Sequence, residues 1–394
     1  MALKKIPSVK AALGHIVKYD KKTIGDMVIL NEIPAPPFKE QKRAEKLAEM
    51  FRNIGLSDVS IDKEGNVLAR RAGTVRKHTI AIVAHLDTVF PEGTDVKVKI
   101  EGNKYTAPGI GDNSRGLAVI LAVARSLQAA KINTDSDILF VGSVGEEGLG
   151  DLRGVKYLLR GDGPPIDSFI GVDGGKDNRL VYGAVGSYRY RVTFRGTGGH
   201  SWGAFGNVNP HHALGRAIDK MAVGGTDVYK TGPKVSISVG RIGGGTSINS
   251  IPFESWMEVD MRSGAVYKLD EMDAMFKKAI QNALEEENAA RREGPALTVD
   301  VKNIGLRPAG RGDPNSPLVQ RAMAALFSLG KEPDLSISST DANIAISKGM
   351  PAITMSRGGI NIASHSPQES WQNIDGHIAI QSILLTVLAE SGVK

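Results

Sequence analysis

The sequence predicts an α/β protein: a three-layer domain on a mostly parallel sheet, interrupted by a smaller α+β domain of order βαββαβ. Three observations carry this expectation. Short unbroken apolar runs, Thr79 to Ala84, Ile138 to Val144 and Phe169 to Val172, have the character of parallel strands buried on both faces. Helical spacing lies between them, notably over Leu117 to Ala130. At Gly186 the texture changes to alternating strands and long amphipathic helices, and the first pattern returns near Leu306. The expected division is residues 1–185 with 306–394 as one domain and 186–305 as the insertion. A chain of 394 residues is long for one core, in agreement with two.

In chain order, Lys39 to Gly55 sets Ala44, Leu47 and Phe51 on one helical face and ends on a glycine suited to a C-cap. Asn66 to Ala69 and a hairpin around Gly102-Asn103 alternate as strands. In the insertion, Ser187 to Phe194 is a strand and Asn209 to Met221 a helix capped by Asn209. Lys234 to Val239 and Glu254 to Met261 are strands, Leu269 to Arg292 is a long helix, and Leu297 to Val301 closes the set. Gly243-Gly244-Gly245 follows no phosphate-loop pattern and lacks its lysine, so it reads as a tight loop near the hinge. Beyond Leu306, Pro351 to Met355 is a buried strand and Ile374 to Ser391 a terminal helix.

Composition narrows the chemistry. With no cysteine, disulfides and thiolate metal sites are excluded, and any metal must be held by histidine and carboxylates. The net charge of +6 is scattered, without an aromatic-interleaved basic stripe, so no nucleic-acid partner is expected and a mild preference for anionic substrates is the simpler reading. No apolar stretch is long enough to span a bilayer, and the lysines near the start are not followed by the apolar segment of a signal peptide. No membrane association and a cytoplasmic location are the resulting expectations.

The acids and histidines fall where an open α/β sheet binds ligands, at the carboxyl ends of its strands. His85 and Asp87 follow the first apolar run, Glu146 and Glu147 the second, and Asp173 the third. Asp112 sits in the glycine-rich loop Gly109-Ile110-Gly111-Asp112 ahead of a helix. Carboxylates gathered on one rim repel one another unless a cation neutralises them, and a histidine–carboxylate set without thiols suits Zn²⁺, with Co²⁺ or Mn²⁺ as alternatives.

These motifs, His85-Leu86-Asp87-Thr88-Val89, Gly111-Asp112, Glu146-Glu147 and Val172-Asp173-Gly174, with Ser364-His365-Ser366-Pro367-Gln368-Glu369, resemble the successive signatures of M20 metallopeptidases. The resemblance runs over nearly the whole chain. It implies two zinc ions bridged by Asp112, with His85 and Asp173 completing one site and Glu147 and His365 the other. Asp87 would hold the His85 ring. Glu146 would be the general base that takes a proton from the attacking water and passes it to the leaving amine. The resemblance also implies a cis peptide bond at Asp112-Asn113 and a homodimer formed through the inserted domain.

In that domain Gly196-Thr197-Gly198-Gly199-His200-Ser201 resembles the family segment whose histidine reaches the partner subunit's active site, so His200 would donate to the developing oxyanion. Asn249 would be a second polar contact, and Arg262 would grip a substrate carboxylate. Asp341 and Glu369 also match family positions, Asp341 being equally suited to cap a helix. Where many relatives carry Asp or Lys-Gly after the bridging aspartate, this chain has Asn113-Ser114-Arg115, and Gln368 stands where Asn is frequent. The expectation is a dinuclear zinc hydrolase of small peptides with a free carboxylate. The alternatives are an N-acyl-amino-acid deacylase or other C–N hydrolase, and a non-catalytic metal-binding protein on the same scaffold.

Overall fold

A computed structural model describes residues 2–393. The chain divides into two compact units, Met1–Ala184 with Arg311–Lys394, and Val185–Gly310. The return crossing lies later than the expected 306 because the last strand of the second unit, Thr298–Arg307, keeps pairing with Ser187–Arg195 as far as Arg307 opposite Ser187.

The first unit is built on an eight-stranded sheet. Its centre is a parallel run of four strands, Asp137–Ser143, Thr79–His85, Ser168–Val172 and Ala352–Met355. A hairpin of Ser57–Ile61 and Val67–Arg71 extends one side antiparallel to the centre. On the other side Arg179–Ala184 runs antiparallel to Ala352–Met355 and parallel to Asp334–Ser338 at the edge.

The apolar runs are unbroken because both faces are covered, and the two-residue period of a strand sorts their side chains between two cores. Ile80, Ile82, Ala84, Ile138 and Phe140 pack with the helices Gln41–Ile54, Gly116–Ala129, Pro317–Ser328 and Gly376–Ser391. Ala81, Val83, Leu139 and Val141 pack on the other side with Val155, Leu158 and Ile344, from the short helices Arg153–Leu158 and Ala342–Ser347. These two layers fix the sheet rigidly, and with it the loops at its carboxyl edge.

The second unit has a four-stranded antiparallel sheet in the order Val235–Gly244, Glu254–Ser263, Gly186–Arg195, Thr298–Arg307. The helices Pro210–Tyr229 and Val266–Ala290 share its core, where Tyr190 stacks on Phe276. Asn209 accepts from the His211 N–H at 2.9 Å and caps the first helix as expected. The Gly243-Gly244-Gly245 run is not the expected hinge loop. Gly243 and Gly244 end a strand opposite Trp256 and Ser255, and a Cβ on Gly243 would stand 2.5 Å from the Trp256 ring. Among the described residues no helix is long and apolar enough to cross a membrane.

Candidate active site

At the carboxyl edge of the central strands, acids and histidines gather into three groups, two of which share Asp112. His85, Asp112 and Asp173 offer ligand atoms within 4.8 Å of one another, as do Asp112, Glu147 and His365. A third grouping joins His85 to Glu146 and Glu147. His85 closes its strand with Nδ1 3.0 Å from the Asp87 carbonyl oxygen and Nε2 3.2 Å from Asp112 Oδ1. The carbonyl fixes the proton on Nδ1 and turns Nε2 toward the cluster.

The ring is therefore oriented chiefly by the Asp87 backbone, since the Asp87 carboxylate stands 3.7 Å away. That carboxylate accepts instead from the N–H groups of Glu146 and Glu147, at 3.0 and 2.7 Å. Asp87 thereby pins the turn that presents both glutamates.

Asp112 is held just as deliberately. The Glu369 carboxylate accepts from the N–H groups of Gly109 at 3.0 Å, Gly111 at 3.1 Å and Asp112 at 2.8 Å. The Asp112-Asn113 peptide bond is cis, as expected. Asn113 donates to the Val172 carbonyl at 2.9 Å and accepts from the Gly116 N–H at 3.1 Å, tying this loop to the strand that delivers Asp173. His365, half-exposed and at a φ of 64°, brings Nε2 to 2.9 Å from Glu147 Oε1 and 3.4 Å from Asp112 Oδ2.

Sequence reading missed Arg357. This buried guanidinium places one nitrogen, Nη1, 2.9 Å from both Asp112 Oδ1 and Asp173 Oδ1. It is braced from behind by Arg115, itself buried, which donates to the Arg357 carbonyl at 3.1 Å and lies over the Trp371 ring. Nothing in local spacing marks Arg357. The one available signal was its place in the stretch between the buried strand and His365. Asp341 makes no capping bond. It accepts from Ser143 Oγ at 2.5 Å, and burial together with Glu146 pushes its carboxyl up to about 7.

The electrostatics fit a cation. Burial, with Glu146 and Asp112 nearby, pushes Glu147 up to about 7. Burial and Asp112 push Asp173 up to about 6. Burial opposes ionisation of Asp112 too, but Arg357, His365 and His85 outweigh it and hold the group well below the usual carboxylate range. Bonds to Asp112 and Glu147 raise His365 to about 10. Burial disfavours a charged His85, yet its bond to Asp112 and the nearby Asp87 carboxylate hold it well above its ordinary value. Such a cluster takes up protons when no other cation is offered. Its imidazole and carboxylate donors suit a divalent metal ion.

His200, Asn249 and Arg262 belong to the second unit. His200 lies on the short strand Gly199–His200, paired with Ser250, and the Ser201 N–H donates to the Asn249 carbonyl at 2.9 Å. His200 Nδ1 accepts from the N–H groups of Trp202 and Gly203, at 3.2 and 3.4 Å. Arg262 donates through Nε to Asp260 at 2.7 Å.

The sequence profile of "Peptidase family M20/M25/M40" matches residues 81–389. The chain belongs to this M20 family. Among its relatives are carboxypeptidase G2 of a Pseudomonas species, 26% identical over 82% of this chain and 77% of that protein, and peptidase T of a Geobacillus species, 21% identical over 88% and 90%. A putative succinyl-diaminopimelate desuccinylase of Mycobacterium tuberculosis is 25% identical over 59% of this chain, and the match spans 65% of that relative's length.

The M20 fold recurs in the solved aminopeptidase PepT of Bacillus cereus, with a TM-score of 0.74 and 22% identity over 94% of this chain and 98% of that one. A dinuclear metal-binding M20 peptidase of Bacillus subtilis has a TM-score of 0.67 and 17% identity, covering 95% and 99%.

Proposed function

We propose that this M20 family member is a dinuclear metal hydrolase that cleaves a peptide or amide bond in a small substrate, acting as an exopeptidase on short peptides that carry a free carboxylate. The observation that carries the reading is the pair of three-residue groups sharing Asp112. His85 and Asp173 would complete one metal site, Glu147 and His365 the other, with Zn²⁺ the expected ion and Co²⁺ or Mn²⁺ as alternatives. Bound there, such ions lower the pKa of water and polarise the scissile carbonyl.

The chain's own groups do the rest. Glu146, pinned through its backbone by Asp87 and buried beside the cluster, takes the proton of the attacking water and returns it to the leaving amine. His200 is proposed to support the developing oxyanion. With Nδ1 accepting two backbone bonds, its ring proton belongs on Nε2, which is then a donor. Asn249 is proposed as a neighbouring polar contact. Arg262 is proposed to take the substrate's carboxylate through its terminal nitrogens, which have no acid partner among the described residues, while Asp260 steadies Nε. A homodimer through the second unit, with His200 supplied across it, and a cytoplasmic location complete the proposal. Trp202, Phe205 and Ile248, exposed beside His200 and Asn249, are the apolar groups such a dimer would cover.

The test is Glu146→Gln, assayed with metal analysis on a panel of di- and tripeptides. Turnover should fall by about two to four orders of magnitude while both metals are retained. Near-normal turnover would refute the base. A deacylase is the second reading, favoured by the desuccinylase relative. Turnover confined to N-acyl amino acids would establish it over the exopeptidase.

A further inference from the structure

A cavity of about 680 Å³ in the first unit has Asp112 and Arg357 in its wall. It is also lined by Gly174, Gly175, Lys176, Asp177, Arg179 and Lys331. The loop that leaves Asp173 therefore forms one side of a recess that reaches the proposed metal centre. We propose that this recess is a subsite for an acidic side chain of the substrate, with Arg179 as its principal anchor and Lys176 as a secondary one. The inference rests on the hydrolase reading above and names the substrate class for that same site.

The charges in the recess are unequally committed. Arg357 is bound to Asp112 and Asp173. Lys331 is bound to Asp177 at 2.6 Å, and Asp375, also in the wall, adds to the field on it. Among the described residues, no carboxylate lies within ion-pair distance of Arg179 or Lys176. Among the described residues the Arg179 side chain donates only through Nε, to Ser336 Oγ at 3.2 Å, which fixes the guanidinium plane and leaves both terminal nitrogens for a ligand.

The two glycines after Asp173 make room for that side chain. A Cβ on Gly175 would stand 2.4 Å from Arg179 Cδ, and one on Gly174 would stand 3.1 Å from Arg179 Nη1. Both glycines also have positive φ, 51° and 75°, which the turn requires. The loop is thus shaped to lay a guanidinium fork along the recess, and a planar fork with two free nitrogens matches a carboxylate. Arg262 is proposed for the substrate's main-chain carboxylate, so an anion in the recess is a second one, on a side chain.

The experiment compares kcat/KM for pairs of short peptides and N-acyl amino acids that differ only by Glu against Gln, with metal-loaded enzyme. Wild type should favour the Glu member by about tenfold or more, and the ratio should shrink as salt is raised, since the anchors are open to solvent. Arg179→Leu should bring the ratio close to one, and Lys176→Ser should lower it a few-fold. Lys176 is exposed, so its variant gives a reading even if Arg179→Leu fails to fold. Arg179→Lys, which keeps the charge without the fork, should fall between. A wild-type ratio near one, or a ratio unmoved in every variant, overturns the subsite and leaves the hydrolase reading intact. No turnover of any pair member overturns the hydrolase reading itself.

Discussion

Arg357 donates to Asp112 Oδ1 at 2.9 Å, on the same oxygen that faces His85 Nε2 at 3.2 Å. A side-chain cation therefore stands against the carboxylate at the centre of both proposed metal sites, and the same nitrogen reaches Asp173. The guanidinium compensates part of the negative charge on these two carboxylates.

Arg357→Met should accordingly destabilise metal-free protein by about 3–5 kcal/mol, because it leaves two largely buried carboxylates without this partner. Added Zn²⁺ should raise the melting temperature of the variant more than that of wild type, since the metal replaces the missing positive charge. Thermal melts of both proteins with and without Zn²⁺ measure this. Equal metal-induced shifts would show that Arg357 and the metal do not act on the same charges.

Glu369 makes a second prediction. Its carboxylate is the common acceptor for three N–H groups of the loop that carries Asp112. Glu369→Gln turns an amide NH₂ toward donors and loosens that loop. Metal affinity, read by competition with a chelator, should fall by about 10- to 100-fold, in the range seen when outer-shell partners of metal ligands are removed. An unchanged affinity would mean the loop is held without it.

Gly243 tests the second unit alone. Its absent side chain is what lets the Trp256 ring lie against the strand, with the Arg191 guanidinium 3.9 Å from the ring centre and that of Arg241 at 5.5 Å. Gly243→Ala forces the ring aside and should cost about 1–3 kcal/mol. Denaturant unfolding followed by tryptophan fluorescence measures it, and wild-type stability would show that the ring moves freely.

The fold was legible wherever one physical signal dominated. Strands buried on both faces leave continuous apolar runs, and Thr79 to Ala84 and Phe169 to Val172 lie where those runs said. Edge strands carry no such mark. Asp334–Ser338 is largely solvent-facing, and no sequence pattern singled it out. The helices Pro7–Lys18 and Asp20–Asn31 were likewise not distinguished. The second is only weakly amphipathic and buries polar Thr23, Asp26 and Asn31 along with its apolar residues. At the site, residues that end strands could be read off directly. Arg357 and Arg115 could not, because a buried arginine looks like any other arginine until the acids and carbonyls around it are placed. Asp87 was found but its main contacts were not, since backbone N–H donors leave no trace in sequence.

Asp137 supplies the pH-dependent prediction, away from the metal cluster. It opens a central strand and accepts from Arg70 at 2.6 Å and the Gly73 N–H at 2.8 Å, with Arg76 at 3.3 Å. Burial alone would raise its pKa, but the Gly73 N–H and the two arginines outweigh burial and lower it. A free aspartate titrates near about 3.9, so the stabilisation is complete above that value and is lost as pH falls through the lower folded one. Asp137→Asn should therefore lose about 1–3 kcal/mol at neutral pH. The gap from wild type should narrow only below about pH 4, as the wild-type carboxylate protonates. Urea unfolding of both proteins in metal-free form, across pH 3 to 7, measures the gap. A gap that stays constant to the acid end would mean that hydrogen-bond geometry, and not the charge on Asp137, holds Arg70 and the Gly73 turn against this strand.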